Sequence, residues 1–227
     1  TKTCVAAQRF QYDYLNDDIT DDGKIDYNIT NKIPEGLRKA IADGKKILVL
    51  INPPYAESGE GLGAGNKTGV AKTKFASTAM EKYGKASNEL FTQFVARIAQ
   101  ELPTATIAMF SKMKYVNGSN FEKFRHEWSA KYLGGFAIHS KSFDGLKGDF
   151  PIGFLVWKTN NNSNDSTSFS QISVDVLDRK VKPIGEKIFY NFPKEMFLSN
   201  WIDKPKANNQ DAVPLSNAIT PSKTKSG

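Results

Sequence analysis

Four consecutive residues, Asn52-Pro53-Pro54-Tyr55, have the types and spacing to do chemistry. They directly follow Lys46 to Ile51, a strand-like run that is apolar from Ile47 onward. Two successive prolines fix φ and remove two backbone N–H donors, so the local carbonyls are held rigid and lack backbone partners. A primary amide beside such a carbonyl can accept both hydrogens of an exocyclic amine. The tyrosine next to them offers a stacking face for a flat ring. Together they suit an amino group on a planar heterocycle. The plainer reading is a strand ending in a proline turn, with Tyr55 as a lid on the core. The strand directly before the motif favours the first.

The elements that must position this motif follow from periodicity. Pro34 opens a short helix to Ala42, with Leu37, Ala40 and Ile41 three and four apart, and Asp43-Gly44 ends it. Lys46–Ile51 reads as a strand buried on both faces of a parallel sheet. A helix over about Ser87–Glu101 carries the stripe Leu90, Phe91, Phe94, Val95, Ile98 and Leu102. Strands are expected at Thr106–Phe110, Leu133–Ile138 and Ile152–Trp157, with a helix around Asn120–Lys131. Alternating strands and helices indicate α/β architecture. The two late strands, joined by a loop, suggest an antiparallel pair at one sheet edge. Ala56–Lys85, Asn160–Ser168 and Lys204–Gly227 read as loops, and the first 30 residues as polar and turn-rich. Ile172, Val174 and Val176 alternate as a strand, whereas Phe192, Met196, Phe197 and Trp201 make a helical stripe.

Composition narrows the classes. Hydrophobic residues are 39% and charged residues 24%, a soluble globular balance. No apolar run approaches the roughly 20 residues that span a bilayer, and Thr1–Arg9 lacks the pattern of a signal peptide. The single Cys4 forms no internal disulfide and fits a reducing cytoplasm. With His126 and His139 far apart, no metal-site spacing is present. A net charge of +7 favours a polyanionic partner without identifying one. Lys67, Lys72 and Lys74, in the long loop after the motif, are placed to meet DNA phosphates, contacts that give affinity without reading sequence.

Leu50-Ile51-Asn52-Pro53-Pro54-Tyr55 resembles motif IV of S-adenosylmethionine-dependent amino-methyltransferases. The segments downstream of it, in order and spacing, resemble the gamma-type adenine-specific (N6) DNA methyltransferases of restriction–modification systems. Ser87–Phe94 is similar to the helix lining their cofactor pocket, and Ala108-Met109-Phe110-Ser111-Lys112 to the next strand and its polar end. Phe143–Phe154 resembles the loop and strand carrying a second stacking aromatic, and Tyr12-Asp13-Tyr14-Leu15 resembles motif III. The resemblance spans about residues 10–159. It implies a Rossmann-like methyltransferase fold over 1–159, incomplete at its N-terminus, then a linker and extension over 160–227 toward a target-recognition region. It also implies double-stranded DNA as partner and S-adenosylmethionine as cofactor. In that reading a flipped-out adenine gives its N6 hydrogens to the Asn52 side chain and the Pro53 carbonyl. Tyr55 and Phe143 stack on the base, with Phe150 competing for the second place. Asp13, Tyr14 and Asn52 contact the cofactor.

The family's glycine-rich cofactor loop does not occur in these residues. Gly59-Glu60-Gly61-Leu62-Gly63-Ala64-Gly65 comes after the catalytic motif instead of before it, and no strand feeds it, so it reads as a mobile loop rather than a phosphate or cofactor cradle. The expectation is a chain that starts near motif III, binds cofactor weakly alone and needs an N-terminal segment as partner. The same four-residue motif also belongs to enzymes methylating a glutamine amide or the N2 amine of ribosomal RNA guanine. A non-catalytic DNA-binding remnant is the third reading.

Overall fold

The computed structural model describes residues 7–54, 73–144, 148–159, 170–193, 196 and 201. The chain divides into Thr1–Phe192 and Pro193–Gly227. In the second unit the described residues are Pro193, Met196 and Trp201, with Met196 N–H donating to the Pro193 carbonyl. The first unit holds the sheet and the site residues.

Its elements are α1 (Glu35–Ala42), β1 (Leu48–Ile51), α2 (Lys74–Ala79), a 3-10 turn (Glu81–Asn88), α3 (Leu90–Glu101), β2 (Thr106–Lys112), α4 (Lys114–Asn117), α5 (Glu122–Trp128), β3 (Lys131–His139), β4 (Pro151–Lys158), β5 (Gln171–Leu177) and β6 (Pro183–Tyr190). This is a mixed α/β fold around one six-stranded mixed sheet ordered β1-β2-β4-β3-β5-β6. Alternation decides its two faces. Ile107, Met109, Leu155, Trp157, Ile172 and Val174 point to one face and are buried there with Phe91, Val95 and Ile98 of α3. Aromatic packing fills the rest. Trp157 Nε1 donates to the Tyr115 hydroxyl at 2.9 Å, and the rings of Trp128 and Trp157 lie 5.0 Å apart.

Three expectations change. The β3–β4 antiparallel pair forms as expected, but inside the sheet and not at an edge. β5 adds alongside β3 because burying Ile172 and Val174 extends the core past the pair. The β1 strand is not buried on both faces. Within the described sheet it pairs with β2 alone, and Leu48 and Leu50 are 69% and 72% exposed. The stretch expected as loop to Lys85 is helical from Lys74, because Thr73 caps α2 by accepting from Ala76 N–H and Phe75 is fully buried. The first 30 residues are turn-rich over the described positions, as expected, and Leu15 and Ile19 anchor them in the core.

Strand β6 has no counterpart among the sequence expectations. Nearly every residue of it is exposed, so no apolar periodicity marks it. It is held by the ladder to β5, from Gln171↔Tyr190 to Leu177↔Pro183.

Candidate functional site

β1 runs parallel to β2, and β2 and β3 both run antiparallel to β4, so β1, β2 and β3 share a direction; β5 joins them, parallel to β3. Their carboxyl ends open on one edge of the sheet, where open α/β sheets bind ligands. That edge receives Asn52 after β1, Lys112 from β2, His139 from β3 and Asp178-Arg179 after β5.

Ile51, opposite Met109, is the last paired residue of β1. Continued alternation puts Asn52 level with Phe110 on the face away from α3 and turns Pro53 toward the core. Burial agrees, since Pro53 is buried whereas Asn52 and Pro54 are exposed. Phe110 is the hub of an aromatic cluster on that face. Its ring meets Phe143 edge-on at 5.4 Å, Phe154 at 4.7 Å and Phe136 at 6.2 Å. All four rings are half-buried. Gly135 permits this packing: a Cβ there would lie 2.2 Å from the Phe154 carbonyl oxygen.

Phe150 sits apart from this cluster. Ser140 N–H donates to its carbonyl, its own N–H donates to Ser140 Oγ, and the Lys112 ammonium lies 5.9 Å from its ring. Of the two competing aromatics, Phe143 is the one packed on the neighbour of Asn52.

The segment Tyr12–Leu15 leads into a tight turn gripped from behind. Asp13 is exposed, and its carboxylate accepts from Leu15 N–H at 3.3 Å and Asn16 Nδ2 at 2.8 Å. Two carboxylate oxygens have about four acceptor sites, so capacity remains for an amine from outside. Tyr14 is different. Its hydroxyl donates to Glu101 at 2.7 Å and its ring is stacked on Phe94 at 5.7 Å. Burial, then the Glu101 charge, pushes its phenol well above the usual range. The Asp13 carboxylate is therefore open to a donor from outside, whereas the Tyr14 side chain faces inward.

The chain that leaves at Pro54 returns to the same turn, where Lys74 N–H donates to Asn16 Oδ1 and Phe75 N–H to the Leu15 carbonyl. The Lys74 ammonium pairs with Asp21 at 3.0 Å. An ion pair this exposed is weak and exchangeable. Tyr55, Lys67, Lys72 and Gly59–Gly65 lie outside the described residues.

Two residues that sequence reasoning missed hold the turn in place. Arg97 is fully buried; it donates to the carbonyls of Tyr14 and Asp17 and to the Tyr12 hydroxyl, and pairs with Glu101 at 3.3 Å. Tyr27 donates to the other Glu101 oxygen at 2.5 Å. The available signal was an Arg–Glu pair at i,i+4 beside an apolar helix stripe, ordinarily a solvated pair. At the start of α3, buried Glu89 pairs with Lys114, tying that helix to the exit of β2.

No family model matches the chain, and neither does any curated protein. Among solved structures, the chain is similar to the DrdV–DNA complex, with a TM-score of 0.40, 14% identity, and 63% of this chain and 15% of that one covered. It is also similar to the Type IIL restriction-modification enzyme MmeI in complex with DNA, with a TM-score of 0.39 and 9% identity over 61% of this chain and 18% of MmeI. The ATP-dependent Type ISP restriction-modification enzyme LlaBIII bound to DNA gives a TM-score of 0.39 and 9% identity over 63% and 10%. The chain thus spans less than a fifth of the length of each, and likeness at this level decides neither activity nor substrate.

Proposed function

We propose that residues 1–227 form the base-capturing part of a DNA adenine-N6 methyltransferase. The observation that supports this reading best is the β1–β2 register, whose continuation brings Asn52 level with Phe110, the ring that Phe143 meets edge-on, at the carboxyl ends of parallel strands. A flipped adenine stacks on Phe143 on one side and on Tyr55 on the other. Its N6 hydrogens go to the Asn52 amide oxygen and the Pro53 carbonyl. Both contacts draw the nitrogen lone pair out of conjugation with the ring and aim it outward. S-adenosylmethionine supplies the electrophilic methyl when bound. Asn52 and Pro53 would hold the nitrogen toward that methyl, and the proton that N6 loses would pass to water. Asp13 holds the adenine end of that cofactor, and its glycine-rich loop comes from outside residues 1–227. Lys67, Lys72 and Lys74 meet phosphates of double-stranded DNA.

The test uses the protein that contains these residues, labelled S-adenosylmethionine and unmethylated genomic DNA, with the product digested to nucleosides. Label in N6-methyldeoxyadenosine, lost on Asn52→Ala by a factor of about 10²–10³ as for one transition-state contact, supports the reading. Label in guanine or in protein glutamine would replace it with one of the related amino-methyltransferase activities.

A further inference from the structure

The parallel ladder between β3 and β5 stops early. Its pairs are Phe136↔Asp175 and Ala137↔Val176, although β3 continues to His139 and β5 to Leu177. Where the strands part lies a cleft of about 500 Å³ floored by Ile138, Phe150, Val176, Leu177 and Ile184, a size typical of ligand sites. Its rim is polar, and its acids are committed. His139 Nδ1 accepts from Lys141 N–H at 3.1 Å, so the ring proton sits on Nε2, 3.4 Å from Asp149. The Lys141 ammonium pairs with the same carboxylate at 2.6 Å. Asp178 closes the turn between β5 and β6 by accepting from the N–H groups of Lys180 at 2.8 Å and Lys182 at 2.9 Å. Among the described residues, Arg179, Lys180 and Lys182 form no ion pair. Val181 between them is 63% exposed and held at φ 62°, a strained conformation for a β-branched residue. The hydrogen bond and charge of Lys141, then the charges of His139 and Arg179, hold the Asp149 carboxyl below its usual range. Among the described residues none of the three turn cations has a close ion pair, and they flank an exposed apolar tip.

We propose that this hairpin and cleft grip the DNA strand that flanks the target nucleotide, an inference that rests on the DNA-acting reading above. The cations answer the phosphates, and the apolar floor takes a deoxyribose. Four strand spacings separate β1 from β5, about 19 Å at ~4.8 Å each. A B-form strand rises about 3.4 Å per nucleotide, so the hairpin meets phosphates roughly five or six nucleotides from the base at Asn52.

The experiment measures binding of the 227-residue chain to a fluorescent 20-base-pair duplex by anisotropy between 50 and 200 mM salt. One variant is Arg179→Gln/Lys180→Gln/Lys182→Gln. Its charge-matched control is Lys39→Gln/Lys45→Gln/Lys46→Gln, near the amino end of β1. Each phosphate contact contributes about 0.9 to the salt slope, so the hairpin variant should lose about 2.7. Over that fourfold salt range the unmodified chain then weakens about 40-fold more than the hairpin variant, and the control behaves like the unmodified chain. Equal slopes in all three proteins, or equal losses in both variants, overturn the site while leaving the DNA-acting reading standing. Failure of the unmodified chain to bind any duplex overturns both. Tighter binding to an RNA duplex of the same sequence overturns the assignment of the site to DNA.

Discussion

Arg97 is the residue whose removal should be felt most widely. It is fully buried on α3, and the Glu101 side chain beside it is 4% exposed. Arg97→Met leaves that carboxylate in the interior with two tyrosine hydroxyls and no cation. Breaking a buried pair from one side costs about 3–5 kcal/mol. The carbonyls of Tyr14 and Asp17 also lose their donor, at about 1–3 kcal/mol for each group left unsatisfied. The two penalties overlap, so the expected loss is about 4–5 kcal/mol, against a total stability of roughly 5–15 kcal/mol. Adding Glu101→Gln removes the stranded charge and keeps an acceptor for Tyr14 and Tyr27. The double variant should recover about 2 kcal/mol of the desolvation cost. Urea unfolding followed by the emission of buried Trp128 and Trp157 measures both. A loss below about 1 kcal/mol for Arg97→Met, or a double variant no better than the single one, refutes the clamp, since an ordinary surface change costs no more than that.

Gly135→Ala should destabilise by about 2–3 kcal/mol in the same assay, because its methyl meets the Phe154 carbonyl and overpacking costs that much; a neutral result would place β3 and β4 wrongly. Val181→Gly should raise stability by up to about 1 kcal/mol, the αL strain of a branched residue less glycine's entropy cost. Burial raises the phenol pKa of Tyr12, Tyr14, Tyr27, Tyr83, Tyr115 and Tyr132, with Tyr83 and Tyr132 pushed up to about 12. The fold favours their neutral form, so stability is full below the unfolded value near pH 10 and falls as pH rises above it. Tyrosinate absorbance should therefore appear together with loss of ellipticity, and early, non-cooperative titration of all the tyrosines would contradict their burial.

The elements that carry the candidate residues were more legible in the sequence than their setting in the sheet. Strand β1 and the proline motif were legible because an apolar run meeting two prolines admits few readings, and the α3 stripe because seven residues of that helix are buried. Strand exposure was not legible. Leu48 and Leu50 look like core residues, but which face of a strand is covered depends on partners distant in sequence. The place of β4 between β2 and β3 was likewise hidden, because a short connection predicts an antiparallel pair and says nothing of what joins its far side. Asp13 and Tyr14 were expected together as cofactor contacts, but the Asp13 side chain is exposed whereas the Tyr14 ring packs inward; neighbours in a turn point in different directions. Arg97 and the hairpin at Arg179–Lys182 escaped notice because charged residues on helices and in turns are ordinarily solvated.

The central claim is that Asn52 and Phe143 receive a base together. Once the methylated adenine has been mapped, 2-aminopurine at that position in a duplex reports capture directly, through its emission on binding the protein that contains these residues. Phe143→Ala should change that emission and weaken capture by about 1–3 kcal/mol, the value of one base–aromatic stack, whereas Phe150→Ala should leave both unchanged. Emission that responds to Phe150→Ala and not to Phe143→Ala would contradict the account.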